Sequence, residues 1–405
     1  MNELRIRSYN VRFGDAFLIS LPDRSAAGEE VLRHIVIDIG NSASSEGGRD
    51  HVFPAVIDDI QSQLGGRPAD LYIMTHEHLD HVQGPLYCAG RGISLVADYV
   101  WLTASADPDY YERNVEARKR KQSLAEAYDE TAEQTRTMEG LNAQSLQQLL
   151  EINNPRKTSE CVQHIRQLSE KRAYVYRDFD QSGTHPFKEA VFDIWGPEEN
   201  TTIYYSRISA LTLGDEEGGG QGEGVSQSPE KPVRILPPSG VDAGAFYNLV
   251  AMRKRGIYEN LLAIDKANNN TSVVFTLSWR GWKLLFPGDA EHKSWKLMHK
   301  NNKIEPVHFF KVSHHGSANG LPEDGILEKL LPREPPDNKQ RYALVSTYAE
   351  TYNDVPAEKL LGEQLARRCS LEWTDRADLP DGGYIDFIFT GDSDRCVVRK
   401  STQAG

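Results

Sequence analysis

The sequence predicts a mixed α/β protein. Three observations carry that reading: the amino-terminal stretch alternates apolar and polar residues as strands do, segments of helical spacing separate further apolar runs, and one of those runs ends directly on a cluster of histidines. At 405 residues the chain can bury a sizeable core, as one large domain with insertions or as two domains. Hydrophobic residues at 39% and charged residues at 26% place it among globular rather than disordered chains.

Taken in order, Leu4 to Tyr9, Ala16 to Leu21 and His34 to Ile39 read as a strand meander, separated by Gly14-Asp15 and by the polar stretch Pro22 to Glu30. His51 to Leu64 carries helical spacing through Val52, Ala55, Val56 and Ile60, and Gly65-Gly66 with Pro68 stops it. Leu71 to Thr75 is a short apolar run bounded by turn residues and fits a buried strand. From about Tyr110 to Arg172 the composition shifts to Glu, Lys, Arg, Gln, Ala and Leu, with breaks near Gly140 and at Asn153-Asn154-Pro155, so residues 106–172 are expected to form a helical insertion between sheet elements. Its clusters Arg118 to Lys121 and Lys171-Arg172 are the best basic candidates in the chain. The interspersed Glu116, Glu126 and Glu133 favour a solvated helix face there over a nucleic-acid contact.

Residues Gly214 to Gly240, rich in Gly, Ser, Pro, Gln and Glu, read as a flexible loop; without a following Gly-Lys-Ser/Thr they make no phosphate-binding P-loop. Thr271 to Ser278 and Trp282 to Phe286 then form a hairpin around Trp279-Arg280-Gly281. A helix from Ala290 to about Asn301, strands at Val307 to Val312 and Tyr342 to Ser346, a helix at Ala357 to Arg368 and strands at Gly383 to Thr390 and Arg395 to Val398 complete the series.

Composition narrows the function classes. The formal net charge of -13 disfavours static coating of nucleic acid, since non-specific affinity comes largely from neutralising phosphates. It leaves room for an enzyme that meets a phosphate with bound metal. Cys88, Cys161, Cys369 and Cys396 are far apart and form no Cys-x-x-Cys pair, so they read as packing residues. No apolar run approaches the length of a membrane span, and Met1 to Tyr9 lacks the basic-then-apolar layout of a secretory signal, so a cytoplasmic protein is expected.

The chemistry concentrates in His76-Glu77-His78-Leu79-Asp80-His81, directly after the strand Leu71 to Thr75. A strand end feeding a loop holds imidazoles rigidly, and alternate positions let His76 and His78 address one ion while Asp80 and His81 address a neighbour. A solvent-facing histidine-rich loop is the plain alternative, disfavoured by this placement.

These residues resemble the metallo-beta-lactamase superfamily, whose His-x-His-x-Asp-His signature binds one or two metal ions. The likeness extends through Gly14-Asp15-Ala16-Phe17-Leu18-Ile19, Val36-Ile37-Asp38-Ile39-Gly40, Asn270-Thr271-Ser272-Val273-Val274, Leu284-Leu285-Phe286-Pro287-Gly288-Asp289 and Lys311-Val312-Ser313-His314-His315-Gly316-Ser317. In that order they look like the lactamase-like domain of ComEC-type competence proteins. The resemblance implies an αββα sandwich, two mixed sheets flanked by helices, as a single domain over residues 1–405. It implies Zn2+ or Mn2+, one or two ions, with Asp289 as the carboxylate bridging them and His314 or His315 completing the second site. Taken alone, Asp289 would read as a helix N-cap before Ala290-Glu291. Asp38 resembles the family's buried carboxylate beneath the metal loop. Asp15 reads equally as a turn residue after Gly14 or as a pocket residue.

The chain also departs from the family. No convincing histidine stands between the first motif and Asp289 to complete the first site: His164 lies in a charged helix pattern and His185 in a loop before Pro186, both expected at the surface. Val355-Pro356 stands where such sequences carry His-Pro. One metal is therefore expected to be weakly held or exchangeable.

The reaction implied is phosphodiester hydrolysis of nucleic acid or a nucleotide by a hydroxide shared between the metals, with Asp289 as their bridge and Asp80 or a histidine of the His314-His315 pair passing a proton to the leaving oxygen. Two other readings stay open. One is a lactam, lactone or thioester hydrolase with the same site; the other is a non-catalytic regulatory module docking a protein partner through the helical insertion.

Overall fold

The amino-terminal alternation builds three antiparallel strands, β1 (Glu3–Tyr9), β2 (Ala16–Arg24) and β3 (Glu30–Ile39), in a computed structural model that describes residues 2–42, 49–135, 150–205, 262–348, 355–376 and 378–401. The expected loop at Gly214–Gly240 and the break near Gly140 lie outside the described residues. β2 and β3 run farther than their apolar centres, pairing out to Arg24 opposite Glu30. Asp23 is tolerated inside this hairpin because its carboxylate accepts from Arg33 at 2.8 Å and from the Glu189 amide at 2.7 Å.

Two mixed sheets result. The first orders its strands β14-β13-β1-β2-β3-β4-β5-β6, where β4 is Leu71–Met74, β5 Val100–Thr103, β6 Arg172–Val175, β13 Tyr384–Thr390 and β14 Val397–Lys400. Its β3, β4, β5 and β6 are parallel. The second runs β12-β11-β10-β9-β8-β7, with β7 at Val191–Gly196, β8 Val274–Trp279, β9 Trp282–Phe286, β10 Phe309–Lys311, β11 Tyr342–Val345 and β12 Ser370–Trp373. Here β9 to β12 are parallel, and β8 and β7 are antiparallel.

The sheets face each other across a core of Leu4, Ile6, Phe17, Ile19, Phe275, Leu284, Phe286 and Phe309. Phe17 meets Phe286 edge-on with centroids 6.0 Å apart, and Phe309 meets Phe387 at 5.0 Å. The opposite face of the first sheet is covered by helices α1 (Arg49–Leu64), α2 (Leu79–Ala89) and α5 (Pro155–Arg166), through Val52, Val56, Ile60, Val82, Cys161 and Ile165. The outer face of the second is covered by α6 (His292–Lys300), α7 (Asp324–Leu330) and α8 (Glu358–Leu365), through Trp295, Met298, Leu327, Leu330, Leu361 and Leu365. The layers therefore run helix, sheet, sheet, helix, as in an αββα sandwich. No helix among the described residues is long and apolar enough to cross a membrane, and all four cysteines are free.

Within 106–172 the described residues form helices with a break at Asn153-Asn154, but not all of them belong to an insertion. α3 (Tyr110–Arg113) and α4 (Val115–Thr135) follow β5, but α5 belongs to the helical layer of the sandwich. Asn154 caps α5 by accepting from the amides of Arg156 and Lys157, with Pro155 in the first turn. Arg172 opens β6 rather than closing a helix.

At one edge of the sheets the β1–β2 turn and the end of β3 press against the turn entering α2. The Asp15 amide donates to the Asp80 carbonyl at 3.1 Å and the Gly40 amide to the Asp15 carbonyl at 3.0 Å. A Cβ on Gly40 would fall 2.3 Å from the Asp80 carbonyl carbon and the His81 nitrogen. Gly40→Ala must therefore push the Asp80–His81 backbone aside. Its urea unfolding free energy should fall by about 1–3 kcal/mol, the usual cost of overpacking; an unchanged midpoint and slope would show that the close approach is unimportant.

Candidate metal centre

Strands β3, β4, β9, β10 and β11 all end at this edge, and the candidate ligands sit just past those ends, where open α/β sheets bind ligands. After β4 the chain bends at Glu77 and is extended again at His78, which has φ −89° and ψ 148° and occupies the N-cap position of α2. Asp80 then falls in the first turn of α2, where a carboxylate is favoured by the helix dipole. Asp289 follows the Pro287-Gly288 turn after β9, with its amide donating to Ser272 Oγ at 3.1 Å. His315 follows β10 in a left-handed conformation, φ 51°, that a non-glycine residue adopts only when its surroundings enforce it.

Asp80, His81, Asp289 and His315 form one buried group whose ligand atoms all lie within 4.8 Å of one another. His81 Nε2 is 3.3 Å from Asp289 Oδ2, while His315 Nε2 is 3.0 Å from the same oxygen and 3.3 Å from Asp80 Oδ2. These are close charge contacts but not aligned hydrogen bonds: both Nε2 atoms and Asp80 Oδ1 are buried without a hydrogen-bond partner. Buried polar atoms are normally satisfied, and a shell of nitrogen and carboxylate oxygen donors facing one small space fits a divalent cation.

The outer ring nitrogens are fixed by hydrogen bonds that select the tautomer a ligand needs. His81 Nδ1 donates to Asp38 Oδ2 at 2.9 Å, and His315 Nδ1 donates to the Ser346 carbonyl at 2.9 Å. Asp38 also accepts from the Thr75 amide at 2.8 Å and the Thr75 hydroxyl at 2.6 Å, tying the end of β3 to the end of β4.

His76 and His78 face each other a short distance away, with His76 Nε2 and His78 Nδ1 3.0 Å apart. His78 Nε2 is turned to Asn153 Oδ1 at 2.8 Å, and His76 Nδ1 to the Thr75 hydroxyl at 3.1 Å. Because that hydroxyl already donates to Asp38, it accepts from His76, so the two nitrogens facing each other both carry lone pairs. A proton or a cation between them resolves the conflict. Among the described residues no third His, Cys, Asp or Glu joins this pair in a group of ligand atoms mutually within 4.8 Å.

The neighbouring His314 and His315 go separate ways. His314 is not in the group with Asp289; it joins Asp265 and Glu291, where Asn269 Nδ2 lies 2.9 Å from Glu291 Oε1, 3.1 Å from Asp265 Oδ2 and 3.3 Å from His314 Nε2. Asp15 is buried and pairs with Lys311 Nζ at 2.6 Å while accepting from the Ser346 hydroxyl, so it is a pocket residue rather than a plain turn residue. His164 and His185 are half-buried rather than at the surface, and His185 packs 5.6 Å from Trp101 and 5.0 Å from Phe192, away from the site.

Sequence reasoning missed Lys311, Asn153 and Asp265. Lys311 was the findable one: a lysine inside Phe309-Phe310-Lys311-Val312 is out of place on a buried strand unless it has a charged partner there. It is almost fully buried, with its ammonium 3.1 Å from Asp289 Oδ1 and from the Gly288 carbonyl.

The buried charges shift one another. Burial pushes the Asp289 carboxyl up, but His315, Lys311 and His81 outweigh it and hold it well below the usual range. Burial lowers His81, yet Asp289 and Asp80 raise it well above an ordinary histidine. His76 is lowered well below its ordinary value by burial and then by His81 and His78, so it is neutral at pH 7.

Comparison with protein-family models and with curated protein sequences finds no match to this chain.

One pH dependence follows from His315. Burial lowers this imidazole, but Asp289, Asp80 and Asp15 raise it from 6.5 to about 9. In metal-free protein its protonated form stabilises the fold fully below pH 6.5, and that contribution disappears as the pH climbs through about 9. The melting temperature of chelator-treated protein should drop across this window, and His315→Gln should flatten the drop. A fall of equal size in His315→Gln would contradict the assignment.

Proposed function

We propose that this chain is a metal-dependent hydrolase of the metallo-beta-lactamase type, using Zn2+ or Mn2+ and acting on phosphodiesters of a nucleic acid or nucleotide. The observation that carries the reading is the buried group Asp80, His81, Asp289 and His315, whose ligand atoms lie mutually within 4.8 Å while both imidazole Nε2 atoms and Asp80 Oδ1 have no hydrogen-bond partner. The layered architecture and the motif resemblance support it. The choice of a phosphodiester over another bond rests on the resemblance to ComEC-type proteins.

Asp80, His81, Asp289 and His315 would hold the ion, joined by His76 and His78 on the neighbouring side. A divalent cation there would neutralise charge on a phosphoryl oxygen and lower the pKa of water towards about 7. The protein's own part is orientation: Asp38 and the Ser346 carbonyl fix the rings of His81 and His315 so that Nε2 faces inward. His76, held neutral, keeps a lone pair available at physiological pH.

α4 brings a positive group to the rim. Lys121 Nζ lies 3.4 Å from Oε2 of Glu77, the residue between His76 and His78, and over the Tyr111 ring at 4.4 Å from its centroid. Of the basic run Arg118 to Lys121, Lys121 thus reaches a residue beside the site, where its charge would favour the approach of a polyanionic substrate.

Purified protein loaded with Mn2+ or Zn2+ should cleave single-stranded or duplex nucleic acid, or a cyclic nucleotide. Asp289→Asn should lower the rate by about a hundredfold or more, the scale of losing a key electrostatic group. Inertness towards this whole panel with metal demonstrably bound would refute the substrate class; hydrolysis of a lactam or thioester in its place, abolished by His78→Ala, would reassign the bond.

A further inference from the structure

Asp289 divides its two oxygens between different partners. Oδ2 faces His81 and His315 at 3.3 and 3.0 Å, whereas Oδ1 lies 3.1 Å from the Lys311 ammonium. Lys311 cannot easily turn away: its other contacts are Asp15 Oδ2 at 2.6 Å and the Gly288 carbonyl at 3.1 Å, and its side chain is only 2% exposed. A carboxylate that bridges two ions through separate oxygens needs both of them. Here one is already engaged by a fixed positive charge, which also repels a second cation nearby.

The other side of the site has fewer donors among the described residues. His76 Nε2 and His78 Nδ1 point lone pairs at each other, yet no third acidic, histidine or cysteine ligand joins them among the described residues. His78 is braced from behind by Asn153, whose own amide donates to Asp265 Oδ1 at 3.0 Å, so these residues orient the ring rather than complete a shell.

We infer that Lys311 sets two unequal ion sites: a tight one at Asp80, His81, Asp289 and His315, and a weak, exchangeable one at His76 and His78 that lacks Asp289 Oδ1 because Lys311 holds it. The inference rests on the metal-hydrolase reading. Open positions on the weak ion then remain for oxygen atoms of the substrate, so the second ion and a phosphate would bind together.

Equilibrium dialysis of metal-free protein against Mn2+ alone tests it without reference to activity. Wild-type protein should show one tight equivalent and a second, lost in His78→Ala, that is weaker by about a hundredfold. Inorganic phosphate should tighten the second equivalent. Lys311→Met should strengthen it by about tenfold or more while the first equivalent stays saturated under the same conditions. Because Lys311→Met strands the Asp15 carboxylate and can impair folding, Asp15→Asn/Lys311→Met, which replaces the buried pair by neutral groups, serves as the second variant. Two ions within about tenfold of each other in wild type, with one lost in His78→Ala, overturn the inference, as does a second site indifferent to the loss of Lys311. Absence of any bound ion in wild type overturns the hydrolase reading as well, so the two failures are distinct.

Discussion

Asp289 is the point on which the charges of the site converge. It is 1% exposed, yet it stays ionised because His81 and His315 face one oxygen and Lys311 the other. Taking a carboxylate out of water costs several kcal/mol, and stripping one partner from a buried pair typically costs about 3–5 kcal/mol. The surrounding strands must therefore deliver all three positive groups to one place, or Asp289 could not remain there. That requirement links the turn after β9, which holds Asp289, to Lys311 at the end of β10, to His315 just beyond it, and to the first turn of α2 after β4, which holds His81. Asp15 and Asp38 extend the same balance to β2 and β3, since each pairs with one of those positive groups.

This charge balance also explains why a strained backbone is tolerated at the strand ends. Asp38, His314 and His315 all have positive φ, near 50°, in a region that costs non-glycine residues energy. At Asp38 and His315 the strain aims a side chain that the site needs: the Asp38 carboxylate reaches both Thr75 and His81, and the His315 ring reaches Asp289. At His314 it turns the ring to the Asp265–Glu291 side. Stability is thus spent locally to place side chains that a regular strand would point elsewhere.

The cluster His76, His78, Asp80 and His81 was legible in the sequence because residue types able to bind a metal stand there at close spacing after an apolar strand, whereas Asp38 and Asp289 were marked only by the resemblance to a known family. All six come to one edge of the two sheets. The choice between His314 and His315 was not legible: alternation along a strand says that neighbours diverge, but both residues lie beyond β10 in left-handed backbone, whose direction depends on Gly316, Ser317 and the packing of β11. Lys311 was visible as an anomaly and Asn153 was not, since nothing local marks a residue whose role is to accept a hydrogen bond from a histidine far along the chain. The strands that escaped the sequence reading are short. β6, β7 and β12 lie at sheet edges, and β6 begins with the basic residue Arg172 amid a helical composition, while β5 is an interior strand of four buried residues, too short to show a period.

On this reading, side chains from separate strand ends would surround a cation in the interior of the sandwich. Anomalous X-ray diffraction from crystals grown with Mn2+ tests this most directly. The account predicts a strong peak enclosed by Asp80, His81, Asp289 and His315, within bonding distance of both Nε2 atoms. A map with no peak there, or with its only peak beside Asp265, Glu291 and His314, would contradict it.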